Sequence, residues 1–274
     1  MSSVNRRVLP GFSLSLGYSV FYLSVLVLIP LAACFLKAAS LGWSEFWAAV
    51  WTDRARAAYA TTFRSALLAA SVNVILGLIV AWTLVRYDFP LKRIVDALVD
   101  LPFALPTAVA GLVFATLYVP NGWLGQFLAP MGIEGAYSNL GIVLVLVFTG
   151  FPFVVRTVQP VLEALDAETE EAAMILGASR WQTFTRVILP TLLPALVTGF
   201  ALALARAIGE YGSVVFISGN MPYETEIAPV LIVARLEEFA YREATAIAVV
   251  LLTISFVLLA VINLLERWSK RHGG

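Results

Sequence analysis

The sequence predicts an all-α integral membrane protein with six transmembrane helices and both termini cytoplasmic. Three observations carry that prediction. The chain is 60% apolar and only 13% charged, with a mean hydropathy of +0.88, where a soluble domain has roughly 45–50% apolar and about 25% charged residues. Its charges are gathered between long uncharged runs. Its Lys and Arg residues favour one side of those runs. The same composition excludes a disordered chain, which would be polar and charge-rich. A lone cysteine, Cys34, excludes a disulfide scaffold. Eighteen basic residues balance 18 acidic ones, so the chain carries no global attraction to nucleic acid.

The runs set the elements in order. Uncharged stretches cover 8–36, 65–85, 101–133, 135–155, 187–205 and 244–265. The third is interrupted by the turn sequence Pro120-Asn121-Gly122. A bilayer core of about 30 Å needs about 20 apolar residues as helix. Spans are therefore expected near 17–37, 62–85, 101–119, 137–156, 190–217 and 244–266. Lipid offers the backbone no hydrogen bonds, so each is helical. Residues 1–16 form an N-terminal arm, 17–266 one permease domain and 267–274 a tail.

Orientation follows from the loop cations. With the N-terminus inside, eleven Lys and Arg residues are cytoplasmic, among them Arg6, Arg7, Arg86, Arg156 and Arg267. Six are outside, including Arg54, Arg64 and Arg235, and Arg206 falls within the fifth span. Leu31-Ala32-Ala33-Cys34 has the look of a lipoprotein cleavage box. The apolar run before it is much longer than a signal segment of about 7–15 residues, so Cys34 reads as a residue packed in a helix.

The segment 161–189 is the least lipid-like part of the chain. It reads as two short helices. Asp166 is placed to cap the first, with Glu168, Glu170 and Glu171 near its positive end. Gly177 ends it in the left-handed conformation. Ser179 caps the second with Gln182 three residues on. Trp181, Phe184, Val187 and Ile188 give it one apolar face, and Pro190 starts the next span. Such a pair is either a solvated connector resting on its own bundle or a docking surface for a cytoplasmic partner.

Glu171-Ala172-Ala173, three residues, Gly177, nine residues, Val187, one residue, then Leu189-Pro190 resembles the EAA signature of ABC-importer permeases, with Val187 where that family usually has Ile. The resemblance implies the type I importer permease fold. It also implies that Glu171, Ala172, Ala173, Gly177, Leu189 and Pro190 serve contact with an ATP-hydrolysing subunit, unless the alanines only pack the two helices together. Four further blocks narrow it. They begin at Arg7-Val8-Leu9-Pro10, Asp100-Leu101-Pro102-Phe103, Pro152-Phe153-Val154-Val155-Arg156 and Gly209-Glu210-Tyr211-Gly212. These look like the T-type permeases of sulfate/thiosulfate importers, and molybdate permeases share part of the pattern. The implied function is translocation of sulfate or thiosulfate into the cytoplasm by alternating access. The implied partners are a W-type second permease subunit, a cytoplasmic ABC ATPase dimer and a periplasmic sulfate/thiosulfate-binding protein. The implied location is the bacterial inner membrane.

The chain offers no chemistry of its own. None of Lys37, Lys92 and Lys270 follows a glycine, so there is no phosphate-binding loop. The one histidine, His272, stands in the tail, and no metal-ligand cluster or Ser/His/Asp set can be assembled. The chain is therefore expected to be a permease subunit and not an enzyme, without cofactor or metal, its ATP being used by a partner subunit. Arg206 and Glu210, four apart, share a helix face. At 1.5 Å per residue they lie about 22 Å and about 29 Å along the fifth span from Thr191. They form either a structural ion pair or a pathway cation tuned by a carboxylate. Gly209, Gly212 and Gly219 thin the helix around them and allow a bend or close contact, as do Pro102 and Pro106 in the third span, and Asn220 ends the fifth. An amphipathic segment, 228–239, with Arg235, Glu237 and Glu238 on its polar side, meets a binding protein or the bilayer surface. Two other classes compete: an ion-coupled secondary transporter, for which no clear repeat is visible, and a channel or purely structural subunit. Both leave the EAA loop unexplained.

Overall fold

A computed structural model describes residues 11–272. Residues 1–10, with Arg6, Arg7 and most of the first resembling block, and residues 273–274 lie outside the described residues. Among the described residues every regular element is helical. The first crossing is α1 (Phe12–Leu23), a π turn (Ser24–Leu28) and α2 (Ile29–Ala39). Cys34 lies half-buried in α2. A short α3 (Trp43–Val50) leads to the long α4 (Asp53–Arg86). Then follow α5 (Lys92–Val99), α6 (Leu101–Ala104), α7 (Thr107–Tyr118) and α8 (Gly125–Leu128). The next are α9 (Asn139–Glu163), α10 (Ala167–Ile175) and α11 (Arg180–Thr183). A second π turn (Phe184–Ile188) joins α11 to α12 (Leu189–Ile208). The chain closes with α13 (Val214–Ile217), α14 (Ala228–Glu237) and α15 (Tyr241–His272).

The centre is α4, α9 and α12, each packed on the other two. The buried stripe of α4 runs Ala58, Thr62, Ser65, Ala66, Ala69, Ala70, Asn73 and Gly77, mostly at spacings of three and four. Small residues at that spacing let helices approach closely where lipid supplies no hydrophobic drive. Against them α9 buries Ile142, Val145, Val154, Val155 and Val158, and α12 buries Leu192 and Leu204. Apolar side chains of α1 such as Leu14, Tyr18 and Phe21 are, by contrast, exposed. The first crossing meets the bundle through α2, which packs on α15.

Among the described residues five helices are long and apolar enough to cross a membrane, and α7 is a shorter apolar one. Three expectations change accordingly. The third span is not one helix over 101–119. It breaks at Leu105, which adopts an extended conformation (φ −84°, ψ 132°) because it precedes Pro106. The fifth span does not run from 190 to 217. Its helix is continuous from Arg180 and stops at Ile208, and only the single turn α13 follows. Pro190 stands in the first turn of α12, as expected, but the chain is already helical before it. It follows a π turn, and that turn closes through Leu189 N–H to Phe184 O. The same arrangement stands before Pro30, where Ile29 N–H bonds Ser24 O. Each wider turn comes just before a residue that has no N–H to give. Finally, α14 is neither free nor flat on a surface along its length: Ala228, Val230 and Leu231 are buried, and the helix packs on α4 and α15.

Candidate functional site

The coupling-loop candidates sit at the end of the bundle where α4 and α9 finish and α12 begins. The Ser179–Gln182 capping box forms as expected, with Gln182 N–H on Ser179 Oγ at 3.3 Å and Ser179 N–H on Gln182 Oε1 at 2.8 Å. Gly177 holds φ +84°, a left-handed value that costs an L side chain strain. Asp166 stands at the N-cap of α10 but makes no side-chain cap bond, so its predicted capping role is corrected. The apolar stripe divides. Ile188 is buried, Phe184 and Val187 are half-buried, and Trp181 is exposed. Ile175 and Leu176 are 85% and 88% exposed, and Met174 joins them. Ala172 is exposed and Ala173 half-buried, so Ala172 is not spent on packing the two helices of this chain together. Glu171 is exposed and, among the described residues, has no ion pair. The loop thus offers a carboxylate, small side chains and an apolar rim to something outside the chain.

The loop is also tied to its bundle. Arg86, in the last turn of α4, pairs with Glu170 in the first turn of α10. Its guanidinium lies 5.3 Å over the ring of Trp82, which meets Phe184 edge-on at 5.6 Å. At the same end Arg156 of α9 holds α5 and the start of the third crossing. Its Nε and Nη2 donate to the two carboxylate oxygens of Asp100 at 2.9 and 2.7 Å. Nη1 donates to Asp96 Oδ1 at 2.6 Å, and Nη2 also to the Asp96 carbonyl at 2.8 Å. The bond from Arg156 holds the Asp100 carboxyl below its ordinary range, against a smaller upward push from burial. Sequence reasoning counted Arg86 and Arg156 only as loop cations. The one available signal for Arg156 was its place at the end of an uncharged run, inside a block that also matters for the resemblance.

The pathway candidates lie at the other end of α12, so the structure does not bring the two groups together. From Pro190 to Arg206 is about 24 Å of helix. Arg206, in the last turn of α12, pairs with Glu210, which lies just past the Gly209 cap and is 2% exposed. The two are not on one helix face; the chain turns out of the helix and carries the carboxylate back. Glu210 Oε1 also accepts from Ser213 N–H at 2.9 Å and Ser213 Oγ at 2.8 Å. The break at 209–213 lies against α7. A Cβ on Gly111 would strike the Ser213 carbonyl, and one on Gly212 would strike Thr107 Oγ1. A Cβ on Gly209 would meet only the Ala205 carbonyl, at an ordinary 3.9 Å, so close contact does not explain that glycine. Asn220 takes φ 52° and donates to Val215 O at 2.9 Å, closing α13 as a cap.

Near this end a cavity of about 820 Å³ opens between α4, the start of α9 and the loop before α14. Arg64, Glu134, Tyr137 and Glu224 line it, and Arg206 and Glu210 do not. The mixed charge gives no clear preference for an anion. Arg54 and the 3%-exposed Glu226 form a two-pronged pair beside it, at 2.8 and 2.7 Å. Sequence reasoning missed that pair too.

A model of the family described as "Binding-protein-dependent transport system inner membrane component" matches residues 73–272. The sulfate transport system permease protein CysT of Escherichia coli K12 is 50% identical over 271 residues, covering 98% of each chain. The protein of the same description from Synechocystis is 53% identical over 93% of this chain and 89% of its own length. That of Synechococcus elongatus is 51% identical over 100% and 99%. Among solved structures, a chain of a bacterial ABC transporter that imports the polysaccharide alginate superposes with a TM-score of 0.75 at 16% identity, over 93% of this chain and 94% of that one. At that identity the likeness concerns the fold.

Proposed function

This chain belongs to the binding-protein-dependent transport inner-membrane family, and we propose that it is the permease subunit through which an ATP-driven importer moves sulfate or thiosulfate into the cytoplasm. The observation that carries the substrate class is identity of about half, over nearly the whole length, to permeases described as sulfate transporters. The chain is a multi-pass membrane permease and draws on ATP used by another subunit, as its family implies. In our reading the 161–189 end is cytoplasmic, which the Lys and Arg bias supports, and the membrane is the bacterial inner membrane. Residues 17–266 are the permease domain between an arm and a tail.

The partners follow the same reading: a W-type permease subunit, two ABC ATPases that receive the 161–189 loop, and a periplasmic sulfate/thiosulfate-binding protein at the opposite end. Glu171, Ala172, Ala173 and Gly177 form the contact, with Leu189 and Pro190 leading from it into α12. Nucleotide favours one arrangement of the ATPases and hydrolysis the other, so nucleotide shifts the balance between the two permease states only while the loop is engaged. The break after Gly209, with Gly212 against α7 and Arg206 locked to Glu210, is the part of the pathway we assign to gating.

Labelled sulfate uptake by cells lacking only this chain, with and without its restoration, tests the reading, with molybdate uptake run alongside. Sulfate uptake that returns with the chain supports it. Molybdate uptake returning without sulfate uptake would keep the permease and overturn the substrate.

A further inference from the structure

The contact that holds the coupling loop to the rest of the molecule points to a second route for force. The main packing of α10 is on α11 and the π turn after it, which belong to its own loop. Its tie to a different helix is Glu170 to Arg86 of α4, both side chains about a quarter exposed. The pair joins the C-terminal turn of α4 to the N-terminal turn of α10. A cation is favoured at the first and an anion at the second, so both helix dipoles support this polarity. Trp82 backs the guanidinium from one turn earlier on α4 and meets Phe184 on the loop side, and Phe184 in turn stacks on the exposed Trp181 at 5.8 Å. The other end of α4 lines the cavity through Ala57, Thr61 and Arg64. A helix of 34 residues is about 50 Å long and transmits displacement along its axis.

We propose that Arg86 is a positioning residue of transport: through Glu170 and Trp82 it passes movement of the coupling loop directly to α4, in parallel with the covalent route through α12. This rests on the importer reading above. The pair is partly buried, and its effect on transport is sought in coupling.

The test uses the complete complex in lipid vesicles and measures labelled sulfate moved per ATP hydrolysed. Arg86→Gln and Glu170→Gln are each expected to lower that ratio about tenfold. The exchanged pair Arg86→Glu with Glu170→Arg is expected to recover part of it, because the pair is rebuilt against both dipoles. An unchanged ratio in the single variants overturns the proposal. So does loss of the ATPase subunits from those variants, which would make the pair a docking feature. A swap no better than either single variant also overturns it. Wild-type vesicles that hydrolyse ATP and move no sulfate contradict the functional reading itself, an outcome distinct from wild-type transport with unaltered variants.

Discussion

Glu210 reaches back past the end of α12 to Arg206 while its other oxygen holds both donors of Ser213. One buried carboxylate thus staples a helix terminus to the loop that leaves it. Removing it strands a guanidinium and two donors at once. Glu210→Ala is expected to destabilise the protein by about 3 kcal/mol, the scale of breaking one partner of a buried pair. Thermal unfolding in detergent measures this. Arg206→Met added to Glu210→Gln should recover part of the loss, since no charge is then left unpaired. A double variant worse than both singles would mean the pair is not the staple.

Gly111→Ala and Gly212→Ala should each disturb the contact between α7 and the broken fifth span, because the added methyl meets Ser213 or Thr107. Overpacking of this kind costs about 1–3 kcal/mol. Gly209→Ala brings its methyl only to an ordinary 3.9 Å from the Ala205 carbonyl and should stay within about 0.5 kcal/mol of wild type. Equal effects at all three positions would contradict the packing described here.

The clamp on Asp100 has a defined acid signature. Its folded carboxyl titrates below the ordinary value of 3.8, chiefly through the Arg156 bond. A lowered folded value means the contribution is complete above that ordinary value and is lost as pH falls through the lower one. The clamp's contribution to melting temperature should therefore be full and independent of pH between about pH 5 and pH 8. Below about pH 4 the wild type should lose its small advantage over Asp100→Asn. With Asp100 half exposed that advantage is under about 1 kcal/mol. A difference between the two proteins that changes near neutrality would contradict the assignment.

Glu171→Lys should leave the chain in the membrane, reduce ATPase co-purification and abolish uptake, since it reverses the charge the loop presents. Full uptake by this variant would remove Glu171 from the contact.

Much of this molecule was legible from the residues, and the pattern of what was not has a physical cause. Uncharged runs located the crossings, and short-range chemistry placed the Ser179–Gln182 box and the left-handed Gly177. Those signals act within a few residues. The ties that fix the site span long stretches of chain: Arg86 to Glu170, Arg156 to Asp100 and Arg54 to Glu226. Periodicity carries no record of which helix ends meet. The end of the fifth span was misread because 206–217 carries no charge apart from its one ion pair, and hydropathy does not register that Glu210 leaves the helix. The same blindness merged α6 with α7, although Pro106 marked the break.

In the function proposed, this chain passes an oxyanion using ATP hydrolysed elsewhere, through the 161–189 loop. The most direct measurement is labelled sulfate uptake into vesicles holding the assembled complex, with loaded binding protein on the outside of the bundle and ATP or a non-hydrolysable analogue on the loop side. Uptake with ATP, none with the analogue, and none with Glu171→Lys is the predicted result. Uptake that proceeds with the analogue, or that follows an ion gradient without nucleotide, would contradict it.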